Sequence, residues 1–139
     1  MAHVLSTVCV SLLVAALPVA SASCPKPIPL YPSAKISTQQ YQDLFDSVTL
    51  RPDTHCKVFG PQQLQCNSDS LGELWWFTRP GHPAHPAASR GQMMHNNQTQ
   101  ETCLIRDGYF AGTEAAFASW LGELKRYDEQ TVARFRAGT

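Results

Sequence analysis

The spacing of apolar positions changes several times along the chain, and each change marks an element. From Val4 to Val19 the chain carries no charge and few polar side chains, yet the core of this run, Val8 to Leu17, is shorter than the roughly 20 residues that cross a bilayer. Pro18 and then Ala20-Ser21-Ala22 follow, as in a secretory signal whose small residues suit the peptidase. Residues 1–22 are therefore predicted to be a cleaved signal peptide, although Met1-Ala2-His3 lacks Lys or Arg. Alternate prolines in 23–36 (Pro25, Pro27, Pro29, with Pro32) forbid a helix and favour an extended leader packed on the surface.

A helical period begins next. Ser37 and Gln40 have capping-box spacing, and Tyr41, Leu44, Phe45 and Val48 form one apolar stripe, which predicts a helix over 38–48. The period then shortens. Residues 56–59 and 63–66 read as strands around Gly60-Pro61, and 73–78, with Trp75-Trp76-Phe77, reads as the strongest strand. Its aromatic bulk falls on both faces, so at least one face must be covered; either one tryptophan is partly exposed or both lie beneath the helices and the leader. Arg79-Pro80-Gly81-His82 has the pattern of a type II turn. A further strand over 102–106 precedes an expected turn at Asp107-Gly108. Thr113 can cap a last helix with Phe117, Trp120, Leu121 and Leu124 on its apolar side. Asp128 is read as a restart after a kink, with Val132 and Phe135 continuing the buried side. The expected fold is α+β: three or four antiparallel strands, with an N-terminal and a C-terminal helix packed on one side. Residues 37–139 form one such domain after the leader.

Composition adds compartment and redox state. Eleven basic residues balance eleven acidic ones, and the basic residues are scattered, which argues against nucleic acid as a partner. The signal would discard Cys9 and leave Cys24, Cys56, Cys66 and Cys103, an even set without CxxC-type metal spacing. In an exported chain these predict two disulfides; three connectivities are possible, of which Cys56–Cys66 across the first hairpin with Cys24–Cys103 tying down the leader is favoured. Each would contribute about 2–4 kcal/mol. The expected location is periplasmic or secreted, with no transmembrane segment after signal cleavage.

The most unusual segment is Phe77-Thr78-Arg79-Pro80-Gly81-His82-Pro83-Ala84-His85-Pro86. It resembles a segment of small, uncharacterised exported bacterial proteins. That resemblance implies a bacterial envelope setting and brings no activity or catalytic residues with it. Three readings follow from the residues themselves. A non-catalytic binding module would present Arg79, His82 and His85 to an envelope protein or a cell-wall component. A metal binder would use His82, His85 and His95, near Met93 and Met94, a donor set suited to copper or zinc. In polyproline geometry the first two histidines would share a face about 9 Å apart. A small hydrolase would use His82 or His85 as general base and Arg79 to hold an anion, with Glu73 or Asp107 assisting. No nucleophile elbow, P-loop or zinc-protease motif accompanies them, so no catalytic residue is assigned and the cofactor stays open. Asn97-Gln98-Thr99 has glycosylation spacing, without bearing in a bacterial setting.

Overall fold

The computed structural model describes residues 25–138; the predicted signal peptide and Cys24 lie outside them. The elements run α1 (Thr38–Thr49), β1 (Thr54–Val58), β2 (Gln63–Ser68), β3 (Glu73–Thr78), β4 (Ala87–Asn96), β5 (Glu101–Phe110) and α2 (Glu114–Ala137). The capping box forms: Ser37 Oγ accepts from the Gln40 amide at 3.0 Å, and Gln40 Oε1 accepts from the Ser37 amide at 2.8 Å. Tyr41, Leu44 and Val48 are buried, so the predicted stripe is the buried side of α1.

The five strands form one antiparallel meander in sequence order, β1-β2-β3-β4-β5. This is one strand more than the upper expectation, because β4 escaped the sequence reading. The helices also occupy opposite faces of the sheet rather than one. Tyr41, Leu44 and Val48 of α1 cluster with Trp75, Phe77, Ala88 and Tyr109. Phe117, Trp120 and Leu124 of α2 cluster with Trp76, Ala84, Ala87 and Phe110. The reason is the alternation of a strand: Trp75 and Phe77 point one way and Trp76 the other, so two large apolar faces need two covers. Trp75 and Trp76 are both buried, at 1% and 2% exposure, so of the two arrangements open to them it is the one with both faces covered that occurs.

Small residues make this layering possible. Ala88 lies opposite Phe77, and Ser89 opposite Trp76, so β4 leaves room for the β3 aromatics. A Cβ on Gly108 would stand 2.8 Å from Phe117 Cζ, so α2 reaches the sheet only because that position is bare. The expected Asp107-Gly108 turn is instead the interior of β5: Asp107 pairs with Arg90 and Gly108 with Ser89. Nor does α2 restart at Asp128. The helix is continuous there, and Asp128 is buried, accepting from Arg106 Nε at 2.5 Å and Nη2 at 2.7 Å. Thr113 takes the cap position through its backbone, with no side-chain bond to the first turn. Val132 is half-buried, and the Phe135 side chain falls outside what is described.

The Cys56–Cys66 disulfide is present, joining directly opposed residues of β1 and β2. Cys103 is also disulfide-bonded, while Cys24, its predicted partner, is not among the described residues. The leader crosses the α1-side face of the sheet. Arg90 Nη2 donates to the Ile28 carbonyl at 2.7 Å, and the Leu30 amide donates to the Tyr109 hydroxyl at 2.7 Å. Arg90 is 5% exposed and anchored by Asp107 at 2.7 Å and 3.1 Å. Burial alone would weaken its proton affinity, but the Asp107 hydrogen bonds and charge outweigh it and hold Arg90 above its ordinary value. No helix among the described residues is long and apolar enough to cross a membrane.

Candidate functional site

The His-Pro segment is the connection from β3 to β4, at one end of the sheet. It opens with the predicted turn: the His82 amide donates to the Arg79 carbonyl at 3.1 Å, and Gly81 sits at φ +96°, a conformation glycine adopts without cost. The His85 amide then donates to the His82 carbonyl at 3.0 Å, and the His85-Pro86 peptide bond is cis. Thr78 and Ala87 close the loop, with Thr78 Oγ1 accepting from the Ala87 amide at 2.8 Å and donating to the Ala87 carbonyl at 3.1 Å.

Within this frame the two histidines part. His82 Nδ1 accepts from the Ala84 amide at 3.1 Å, and its ring meets Trp120 of α2 edge-on at 5.8 Å. His85 Nδ1 donates to the Thr78 carbonyl at 3.1 Å, and its ring meets Tyr41 of α1 edge-on at 5.6 Å. That same carbonyl accepts from the Tyr41 hydroxyl at 2.8 Å. One histidine thus packs against each helix, and each has one ring nitrogen committed to the backbone. Burial lowers the proton affinity of His82; the negative charge of Glu123 works against this, and His85 adds to it. Burial also pushes Tyr41 up to about 12, keeping its hydroxyl a donor across the physiological range.

His95 is elsewhere. It follows Ala87 along β4 by about 26 Å of strand, and its Nδ1 lies 3.1 Å from Thr102 Oγ1 near the β4-β5 turn. Met93 and Met94 are on this same distant stretch. The three-histidine metal set is therefore not brought together, and no group of three or more His, Cys, Asp or Glu among the described residues is placed to hold a metal. For acid-base chemistry the loop offers little: no carboxylate hydrogen-bonds either imidazole among the described residues. Glu73 and Asp107 are engaged with Arg90 on the α1-side face. Among the described residues, three hollows stand out. A cavity of about 430 Å³ between β5 and α2 is lined by Leu104, Arg106 and Asp128. Another, of about 460 Å³, lies by His95 and Cys103, and a shallow one of about 520 Å³ by Leu50 and Pro52. His82 and His85 line none of these three.

What does lie beside the loop is aromatic. The Arg79 amide donates to the Gln62 carbonyl at 2.8 Å, joining the loop to the β1-β2 turn. Phe59 begins that turn, 44% exposed, and packs edge-on to Trp76 at 4.9 Å. Tyr127 of α2, 37% exposed, packs edge-on to the same indole at 5.8 Å and lies 6.4 Å from Phe59. Trp120, Glu123 and Tyr127 follow one another at helical spacing, which carries this ledge back to His82. Trp76 Nε1, beneath it, is buried without an acceptor among the described residues. Sequence reasoning missed the ledge because Phe59 and Tyr127 are 68 positions apart and meet over the buried Trp76. It also missed the buried pairs Arg90–Asp107 and Arg106–Asp128, whose only local trace is a basic and an acidic residue on separate elements. No family model, curated protein or solved structure matches this chain.

Proposed function

We propose that this chain is an exported, non-catalytic binding module of the bacterial envelope, and that its ligand is a cell-wall polymer. The observation that carries the reading is the exposed Phe59–Tyr127 ledge beside a loop whose histidines are clamped between the helices. Two exposed rings held at a fixed angle by a buried tryptophan suit the C–H faces of sugar rings, since aromatic side chains give large contact area at low conformational cost. Arg79, exposed on the loop, and Glu123, exposed on α2, supply polar groups around it. The orphaned Trp76 donor is a group that a ligand hydroxyl or a trapped water would satisfy. The histidines shape the support; the contact itself belongs to the aromatics and Arg79.

Co-sedimentation with purified, insoluble cell-wall material tests this. The oxidised chain is expected in the pellet, and Phe59→Ala with Tyr127→Ala should leave it in the supernatant with its far-UV circular dichroism retained. Equal sedimentation of both, or of neither, would refute the proposal.

A further inference from the structure

β5 and α2 run in opposite directions past each other. Phe110 stacks on Phe117 at 4.7 Å, and Arg106, earlier on the strand, meets Asp128, further along the helix. Alternate residues of a strand share a face, so Leu104 and Thr102 continue the row of Arg106 towards α2. On the helix, Lys125, Asp128 and Val132 recur at helical spacing and share a side. Between these two rows lies the hollow of about 430 Å³. That volume falls in the range of about 300–1,000 Å³ typical of small-molecule sites. The hollow is polarised along its length. Arg106, Asp128 and Lys125 make one end charged, while Leu104, Val132 and Ala133 make the other end apolar.

The charged end has a built floor. The side chains of Arg106 and Asp128 are both more than nine-tenths buried. A guanidinium carries five N–H groups. Two of those on Arg106 go to Asp128 and one to Ser89 Oγ, and the other two have no partner among the described residues. At the mouth stand Lys125 and Glu129, both exposed, whose side chains make no ion pair or hydrogen bond among the described residues.

We infer that this hollow binds an aliphatic α-amino acid as its zwitterion. The carboxylate lies towards Lys125 and the spare Arg106 N–H groups, and the ammonium towards Glu129 and Asp128. The side chain enters between Leu104 and Val132. The balance of charge selects this class. A ligand with only a negative charge would meet Glu129 and Asp128 as well as the cations, and one with only a positive charge would meet Lys125 and Arg106. Like charges brought together beside a partly buried pair repel strongly, because little water screens them. A ligand carrying both signs a few bonds apart satisfies both sets, and the apolar end favours an aliphatic side chain over a polar one. The site is distinct from the aromatic ledge: Tyr127 packs on Trp76 and does not line the hollow.

An NMR titration of the isotope-labelled, oxidised chain with L-leucine and with D-leucine, near neutral pH, tests the inference. Saturable shifts centred on residues 102–106 and 125–133 are expected with at least one enantiomer. N-acetyl-leucine and leucinamide, each left with a single charge, should bind several-fold more weakly. Val132→Phe fills the apolar end and should abolish the shifts. Glu129→Lys, at an exposed position, should invert the preference so that N-acetyl-leucine binds more tightly than leucine. This second variant keeps the test decisive should Val132→Phe not fold. No saturable shift with either enantiomer up to millimolar concentration would overturn the inference, as would shifts centred elsewhere. So would equal binding of the singly charged forms, or a Glu129→Lys chain with an unchanged preference. None of these variants alters Phe59 or Tyr127, so amino-acid binding and wall binding are separately readable.

Discussion

Replacing Asp128 with Leu should be among the most damaging single changes in the molecule. Arg106 on β5 points at α2 and is 2% exposed in its side chain, while Asp128 is 9% exposed. Two charge-assisted hydrogen bonds of 2.5 Å and 2.7 Å join them, and Ser89 Oγ is a further Arg106 partner at 3.1 Å. Space for the guanidinium comes from Gly91 on β4, where a Cβ would stand 3.0 Å from Arg106 Nη2. Asp128→Leu strands a buried cation with one hydroxyl. The pair interaction near an effective dielectric of 20 is about 4 kcal/mol, and removal of one partner from a buried pair costs about 3–5 kcal/mol. For a chain of this length that lowers the melting temperature by roughly 10–20 °C. Arg106→Met combined with Asp128→Leu exchanges the pair for apolar groups and should recover most of the loss. Urea unfolding followed by circular dichroism, with the disulfides intact, measures both. The reasoning fails if the single variant is as stable as the double, since the cost assigned to the unpaired charge would then be absent.

Two further outcomes follow from the packing and the loop. Gly108→Ala places a Cβ 2.8 Å from Phe117 Cζ and should push α2 off the sheet, costing about 1–3 kcal/mol as overpacking; near-wild-type urea stability would contradict the close approach. His82 has a depressed proton affinity when folded, so the unfolded chain binds the extra proton first as pH falls. The stability linked to His82 is full above its unfolded value near 6.5 and is lost as pH falls through the lower folded value. Protonation at Nδ1 would also remove the acceptor for the Ala84 amide. His82→Gln should flatten stability against pH in that window, and an unchanged profile would remove His82 as the cause.

Some elements were legible from local pattern because local chemistry specifies them. The Ser37–Gln40 box and the Tyr41 stripe define α1 within twelve residues. The Gly60-Pro61 break between short strands defines the first hairpin, and with it the Cys56–Cys66 bridge. Trp75-Trp76-Phe77 could hardly be other than a buried strand, and its β3 limits match the expected 73–78. β4 was illegible for the opposite reason. Ala87-Ala88-Ser89-Arg90-Gly91 contains no strong strand former, because its task is to be small opposite large aromatics and to admit Arg106, neither of which is a local property.

The candidate site divides in the same way. That the His-Pro segment is a turn was readable from Pro80-Gly81, and the structure keeps that turn. Where its histidines go was not, because Tyr41 and Trp120, which receive them, come from helices on either side of the sheet. A capped helix, a tight turn and an alternating strand are set by groups a few residues apart. The two-sided layering, the buried ion pairs and the Phe59–Tyr127 ledge depend on which distant surfaces must be hidden from water together. By itself the sequence determined the parts and their periods; only the tertiary structure decided which faces met.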